Sequence, residues 1–293
     1  MRVSSLLLAG AAAKSLIVHS PFSNSYREPP GLPHPAGNGS LTNGMSQTWS
    51  GAWMVAPTNQ TFTSTFTQFK VLQPSMPAKA DNHSTYIAAE WVGLTDDQGF
   101  ASTTAGVIVQ AGIVIRGVRG NFTVSAWWEW YPQDEQEIHL PITWGDTISI
   151  SITMKNHTTA NIVMANLSKK QDQRLTVQGK ASDLRFACFI VEDSPPYPFL
   201  HFANITFDGC RANVGNKKYG FDNSSGSVDM VDFGSGKSKA LGSIANSTTV
   251  KPAEATLEEG RCGHAAEHNH AQTQKDYELV VECFAPSGCG VRI

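Results

Sequence analysis

Between Thr48 and about residue 250 the chain breaks into short apolar segments, and none carries the three-to-four spacing of an amphipathic helix. The clearest is Asp146–Met154, whose centre reads ISISITM: Ile148, Ile150 and Ile152 alternate with Ser149, Ser151 and Thr153. A period of two puts the isoleucines on one side of a strand and the hydroxyls on the other. Phe62–Val71 alternates likewise, while Tyr86–Leu94 and Ala105–Ile115 are apolar with β-branched character. Asn161–Leu167, Arg185–Glu192 and His201–Phe207 complete the series. Turn signals separate these runs, among them Asp96-Asp97-Gln98-Gly99, Gly145-Asp146 and Ser194-Pro195-Pro196. A sheet with so much apolar surface must cover it with a second layer, so the predicted class is all-β, an antiparallel β-sandwich. With 293 residues, 41% of them hydrophobic, the chain can build one large core.

The densest local signal is Val124–Pro132, VSAWWEWYP, with three tryptophans and one carboxylate. Aromatic density favours a pleated, half-buried strand. Alternation groups Ser125, Trp127, Glu129 and Tyr131 on one face and Ala126, Trp128 and Trp130 on the other. The second set suits a core. The first places a carboxylate among aromatic walls, as in a cleft for a polymer, or else simply turns Glu129 to solvent.

The ends of the chain differ from its middle. Arg2 precedes an apolar run, Val3–Ala13, that ends in small residues, so residues 1–19 read as a secretory signal region. The run is too short to span a membrane, and no later stretch is long enough. Residues 20–46 are rich in Pro, Gly, Ser and Asn and read as a linker or short pro-segment, before a domain spanning 47–251. From Pro252 to residue 293 the sequence becomes polar and Ala/Glu-rich, a tail outside the core. Sequons at Asn38, Asn59, Asn82, Asn121, Asn156, Asn166, Asn204, Asn223 and Asn246 exceed the two or three or so that composition alone would supply, which points to an extracellular glycoprotein. Charged residues are 16% of the chain and the net charge is -3, which argues against a nucleic-acid surface. Cys188 and Cys210 lie in the main body and Cys262, Cys283 and Cys289 in the tail, an odd total that is no disulfide scaffold.

Two polar residues end apolar runs: Gln110 after Val107-Ile108-Val109, and Glu192 after Phe189-Ile190-Val191. Each reads as a solvated strand edge or as a functional group. A carboxyl in apolar surroundings has the raised pKa that acid–base work often requires.

Four separated pieces, in order, resemble the glutamic peptidases of fungi, the eqolisin family. They are Trp49-Ser50-Gly51; Ala89-Glu90-Trp91-Val92-Gly93 with Val109-Gln110-Ala111-Gly112; Ala126–Pro132; and Phe189-Ile190-Val191-Glu192-Asp193 with Pro198-Phe199. Weaker agreement runs through Gly145-Asp146 and Ala165-Asn166-Leu167, so the resemblance covers residues 48–250 or so. It implies a sandwich of two curved antiparallel sheets, jelly-roll or concanavalin A-like, with the active site on the concave face. It implies Gln110 and Glu192 as the catalytic pair and Trp49, Trp91, Trp127, Glu129 and Tyr131 as substrate-binding residues. A carboxylate can take a proton from water and return it to a leaving amine, while an amide donates to the oxyanion. The function implied is a secreted acid endopeptidase, a monomer acting on polypeptides without metal or other cofactor, and with no membrane association once the signal is removed.

The chain departs from the family pattern at several points. Thr95, Val114 and Ser125 stand where the family has acidic residues, which bears on substrate preference. The family cysteine after the Trp-Val-Gly turn is missing, with Gly99 about there, and Cys188 is not at its partner's place. A competing reading takes the tryptophan-rich face as a polysaccharide site with Glu129 and Glu192 as a glycosidase pair, or as a glycan-binding surface. A third is a catalytically weakened peptidase homologue. Cys262, His264, His268 and His270 resemble a metal cluster but sit in a His-rich polar tail. Gly234-Ser235-Gly236-Lys237-Ser238 lacks the first glycine of a phosphate loop, and no Gly-x-Ser-x-Gly elbow stands out.

Overall fold

The computed structural model describes residues 42–254, apart from 82, 97–105, 203, 223–224 and 233–236. Among the described residues there are strands and turns but no helix. The strands are β1 (Thr42–Ser46), β2 (Trp49–Val55), β3 (Ser64–Lys70), β4 (Tyr86–Thr95), β5 (Ile108–Val118) and β6 (Asn121–Tyr131). Then come β7 (Gln136–Ile138), β8 (Thr147–Asn156), β9 (Thr159–Asn166), β10 (Gln171–Gln178), β11 (Phe186–Glu192) and β12 (Phe207–Val214). The series closes with β13 (Lys217–Tyr219), β14 (Gly226–Asp232), β15 (Lys237–Leu241), β16 (Ile244–Asn246), β17 (Thr249–Val250) and β18 (Ala253–Glu254).

They form two sheets. A ten-stranded sheet runs β18-β15-β14-β2-β11-β4-β5-β6-β7, with β1 on β14; an eight-stranded sheet runs β10-β9-β8-β3-β12-β17-β16, with β13 on β12. Pairing is antiparallel except for β1 with β14, as the sequence-based class requires. One apolar core lies between the sheets, joining Ala88, Val92, Ile113, Trp130 and Phe189 of the first to Phe69, Ile150, Ile162 and Phe207 of the second.

The sheets differ on their outer faces. In β8 the isoleucines at 148, 150 and 152 are buried, and Ser149, Ser151 and Thr153 on the other side are not. That face meets water, so the strand alternates. In β4 every residue is buried, and β5 is buried from Ile108 to Ile115. A strand covered on both faces has no reason to alternate, which is why these two read as continuous apolar runs. The outer face of the ten-stranded sheet carries a second apolar cluster, with Trp49, Trp53, Trp91, Trp127, Ile108 and Ile190.

The edges differ from the sequence-based boundaries. The sheet takes in Thr42–Ser46 through parallel pairing with β14, ahead of the expected start near Thr48. Polar, glycine-containing TNGMS gives no apolar pattern, but backbone pairing does not need one. At the other end β18 pairs with β15, and buried Pro252 accepts a bond from Ile205 N at 3.1 Å, so residues just past 251 belong to the sheet. The Cys262/His264/His268/His270 cluster and Tyr277–Phe284 lie outside the described residues.

Candidate active site

The outer face of the ten-stranded sheet can be laid out as a grid from strand register. One row runs Trp53 (β2), Cys188 (β11), Gly93 (β4), Gln110 (β5), Glu129 (β6). The next runs Gly51, Ile190, Trp91, Gly112, Trp127. The third runs Trp49, Glu192, Ala89, Val114, Ser125. Rows are two residues apart, about 6.8 Å along the strands, and strands are about 4.8 Å apart. All seven residues expected at the catalytic and binding site belong to this one face: six are in the grid, and Tyr131 follows Glu129 by alternation. The expected split of β6 also holds, with Trp127 in the outer cluster and Trp130 in the core between the sheets.

Gln110 and Glu192 occupy the first and third rows, with Trp91 in the row between. Gln110 Nε2 donates to Glu129 Oε2 at 2.5 Å, directly across the β5–β6 ladder. Trp91 Nε1 donates to Glu192 Oε2 at 2.6 Å. The Trp49 ring meets that of Trp91 edge-on at 5.3 Å, so the Glu192 carboxylate is held beside two indoles. Glycines let these groups approach. A Cβ on Gly112 would come within 2.6 Å of Trp91 Cβ, and one on Gly93 would sit 3.0 Å from Gln110 Cβ. The end of β11 is pinned as well: Asp193 N donates to Thr48 O at 2.8 Å, and its carboxylate pairs with Lys239 Nζ at 2.8 Å.

Burial sets the charge states. Gln110 is 6% exposed, Glu129 2% and Trp91 0%, while Glu192 and Tyr131 are half-buried. Burial pushes the Glu129 carboxyl up to about 7, against the Gln110 hydrogen bond, and the charges of Glu135 and Asp134 push in the same direction. Burial also raises Glu135, and Arg116 lowers it again. The departures from the family pattern fall within this geometry. Val114 and Ser125 share the row of Glu192, Arg116 Nη1 donates to Ser125 Oγ at 3.3 Å, and Thr95 Oγ1 donates to Val107 O at 2.9 Å.

Three features escaped the sequence reading. One is the pairing of Gln110 with Glu129. A two-residue turn, Arg119-Gly120 with φ of 53° and 76°, joins β5 to β6 and pairs Val118 with Asn121. Such a turn fixes register, and counting back from it sets Gln110 opposite Glu129. The second is the Lys239–Asp193 pair, which ties β15 to the residue just past the end of β11, remote from it in sequence. The third concerns the sequons. Asn59, Asn121, Asn156, Asn204 and Asn246 are exposed, while Asn38, Asn82 and Asn223 lie outside the described residues. Asn166 is a correction: it is fully buried, and its Nδ2 donates to Asp146 Oδ2 at 2.7 Å and to Pro141 O at 3.0 Å. Its amide serves the fold and has no room for a glycan. Among the described residues Cys188 and Cys210 are free thiols, both buried. Also among the described residues, no group of His, Cys, Asp and Glu has the makings of a metal site.

Comparison with known proteins places this face in context. The pattern of the Peptidase A4 family matches residues 47–257. Aspergillopepsin-2 of Aspergillus niger is 26% identical over 207 residues, covering 62% of this chain and 70% of its own. Scytalidopepsin B of Scytalidium lignicola is 28% identical over 149 residues, covering 50% of this chain and 51% of its own. Among solved structures, scytalido-glutamic peptidase with a transition-state analogue inhibitor has a TM-score of 0.58 at 21% identity, covering 71% of this chain and 98% of that one. SCP-B, described as a member of the Eqolisin family of peptidases and bound to the tripeptide Ala-Ile-His, has a TM-score of 0.57 at 20% identity, with the same coverage. The structural likeness establishes the shared β-sandwich fold.

Proposed function

The chain belongs to the Peptidase A4 family of glutamic peptide hydrolases, and from that premise we propose that it is a secreted acid endopeptidase using Glu192 and Gln110. The observation that supports this reading is the shared face: both residues stand on the outer side of one sheet, and each is held by a polar neighbour on that side. A scissile carbonyl lying over the row of Trp91 would have Glu192 on one side and Gln110 on the other.

The Glu192 carboxylate takes a proton from a water molecule as the water oxygen bonds to the carbonyl carbon. The carbonyl π electrons move onto oxygen, and the Gln110 Nε2–H donates to the resulting oxyanion. Collapse re-forms the carbonyl and breaks the C–N bond while Glu192 returns its proton to the departing amine. Trp91 Nε1, bonded to Oε2, fixes the carboxylate orientation during both transfers. An amide has no proton that titrates near acid pH, so Gln110 can act where a charged donor is not needed. Trp49, Trp127, Glu129 and Tyr131 border the peptide site. The signal-like run Val3–Ala13 and the exposed sequons support secretion. The glycosidase alternative gives way to the family assignment.

The test is peptide-bond cleavage against pH for the wild type, Glu192→Gln and Gln110→Ala. The wild type should be active in acid and fall off toward neutrality. Glu192→Gln should lose turnover, and Gln110→Ala should lose about 10²–10³-fold in kcat, the usual cost of an oxyanion donor. Wild-type turnover by either variant would refute the dyad.

A further inference from the structure

We infer that Glu129 is a positioning residue for Gln110: its carboxyl fixes which way the Gln110 amide points, so that an N–H and not the C=O meets the developing oxyanion. The inference rests on Gln110 being the oxyanion donor. It extends a border role for Glu129 to a specific action on a neighbouring side chain.

A glutamine amide rotated by half a turn exchanges its NH2 group for an oxygen. In one orientation it stabilises an oxyanion, and in the other it repels it. Here Gln110 Nε2 donates to Glu129 Oε2 at 2.5 Å, whereas Gln110 Oε1, also buried, meets no donor. Among the described residues the amide is therefore held from its nitrogen side alone. One hydrogen of the NH2 group is engaged and the second is left for a substrate. Glu129 is itself enclosed: it is 2% exposed, sits mid-strand between Trp128 and Trp130, and is set opposite Gln110 by the Arg119-Gly120 turn.

The protonation state of Glu129 completes the argument. With burial pushing it up to about 7, Glu129 is neutral through the acid range, and its Oε2 still accepts from Gln110 Nε2 in that state. No negative charge then stands beside the forming oxyanion. As the pH passes 7 the carboxylate ionises and opposes that oxyanion. The groups facing it do not change this order. Asp134 and Glu135 of the β6–β7 loop raise its pKa further, and Tyr131 on β6 is neutral when Glu129 ionises. Glu137 on β7 is exposed and Glu192 is two rows away on β11. Trp91 and Gly93 on β4 carry no charge. The one cation in this set, Arg116 on β5, acts on Glu135.

The experiment measures kcat and KM for a peptide that the wild type cleaves, from acid to mildly alkaline pH, with thermal unfolding as the control for folding. Glu129→Ala should lower kcat by at least about tenfold, up to the 10²–10³-fold of a lost oxyanion donor, with a smaller change in KM. Glu129→Gln keeps an acceptor oxygen and should lose several-fold less. Because it cannot ionise, its alkaline fall in kcat should lie at higher pH than the wild type's. A raised KM with unchanged kcat in Glu129→Ala would overturn the inference and leave Glu129 as a wall of the peptide site. So would equal losses in both variants, or an unmoved alkaline limb in Glu129→Gln. Should Glu129→Ala not fold, the alkaline limb of Glu129→Gln still decides. Wild-type turnover by Gln110→Ala or Glu192→Gln would instead refute the dyad. Loss in those two beside wild-type kinetics in both Glu129 variants would refute the positioning role alone.

Discussion

Glu90 is a carboxylic acid in the core between the two sheets, without a hydrogen-bond partner among the described residues. It is 2% exposed, its Oε2 meets no donor, and its neighbours across the ladders are Ile113 and Val191. Strand parity could have found it: once Trp91 is assigned to the outer face, Glu90 must point inward with Ala88 and Val92. Burial pushes its pKa up to about 8. The unfolded chain ionises Glu90 near the ordinary carboxylate value, while the folded chain keeps it neutral. Its contribution to stability is therefore fully present below the unfolded pKa and is lost as the pH rises through 8. The loss is on the order of 1.4 kcal/mol per pH unit at most. Thermal unfolding from acid to pH 8 should show the transition falling with pH. Glu90→Leu should shrink that slope and stabilise the protein near neutrality, where the unfolded wild-type chain gains by ionising Glu90 and the folded chain does not. A variant with the wild-type slope would show that Glu90 is not the group responsible.

At the scale of the element, β6 carries the most information, because one strand supplies both the core and the site. Trp130 is fully buried between the sheets and its Nε1 donates to Lys180 O at 3.2 Å. Trp130→Ala should cost about 3–5 kcal/mol, measured by denaturant unfolding. Trp128 on the same face is only half-buried, so Trp128→Ala should cost clearly less. Trp127 is 1% exposed within the outer cluster, so Trp127→Ala should cost stability as well as turnover. Strands were legible where one face meets water, as in the isoleucine ladder of β8. The apolar runs of β4 and β5 gave strands but not faces, since burial on both sides erases the period. The family resemblance, carried by residue types at matching spacings, proposed the members of the site, and strand register puts them on one face. The bond from Gln110 to Glu129 needed register, and register was written only in the Arg119-Gly120 turn. The Trp91 bond to Glu192 joins residues 101 apart in sequence, a separation that no local pattern reports.

For the whole molecule, the sandwich is closed at its margins by segments whose sequences look like linker. β1 and β18 both pair into the ten-stranded sheet, and the family pattern extends to 257. A chain spanning 42–257 should therefore unfold at the temperature of the full chain. One ending at Lys251 loses buried Pro252 and β18, and each 1 kcal/mol so lost should lower Tm by about 2–4 °C. Equal Tm for the two would show that β18 adds nothing to the sheet. Peptide-bond cleavage by this sheet face through Glu192 can be tested with a single substitution. Glu192→Gln nearly preserves shape while removing the base. It would be incubated in acid with a peptide that the wild type cleaves, and the peptide mass followed over time beside the thermal unfolding of the variant. The peptide should stay intact while the variant is folded at the assay temperature; cleavage at the wild-type rate would show that Glu192 is not the base.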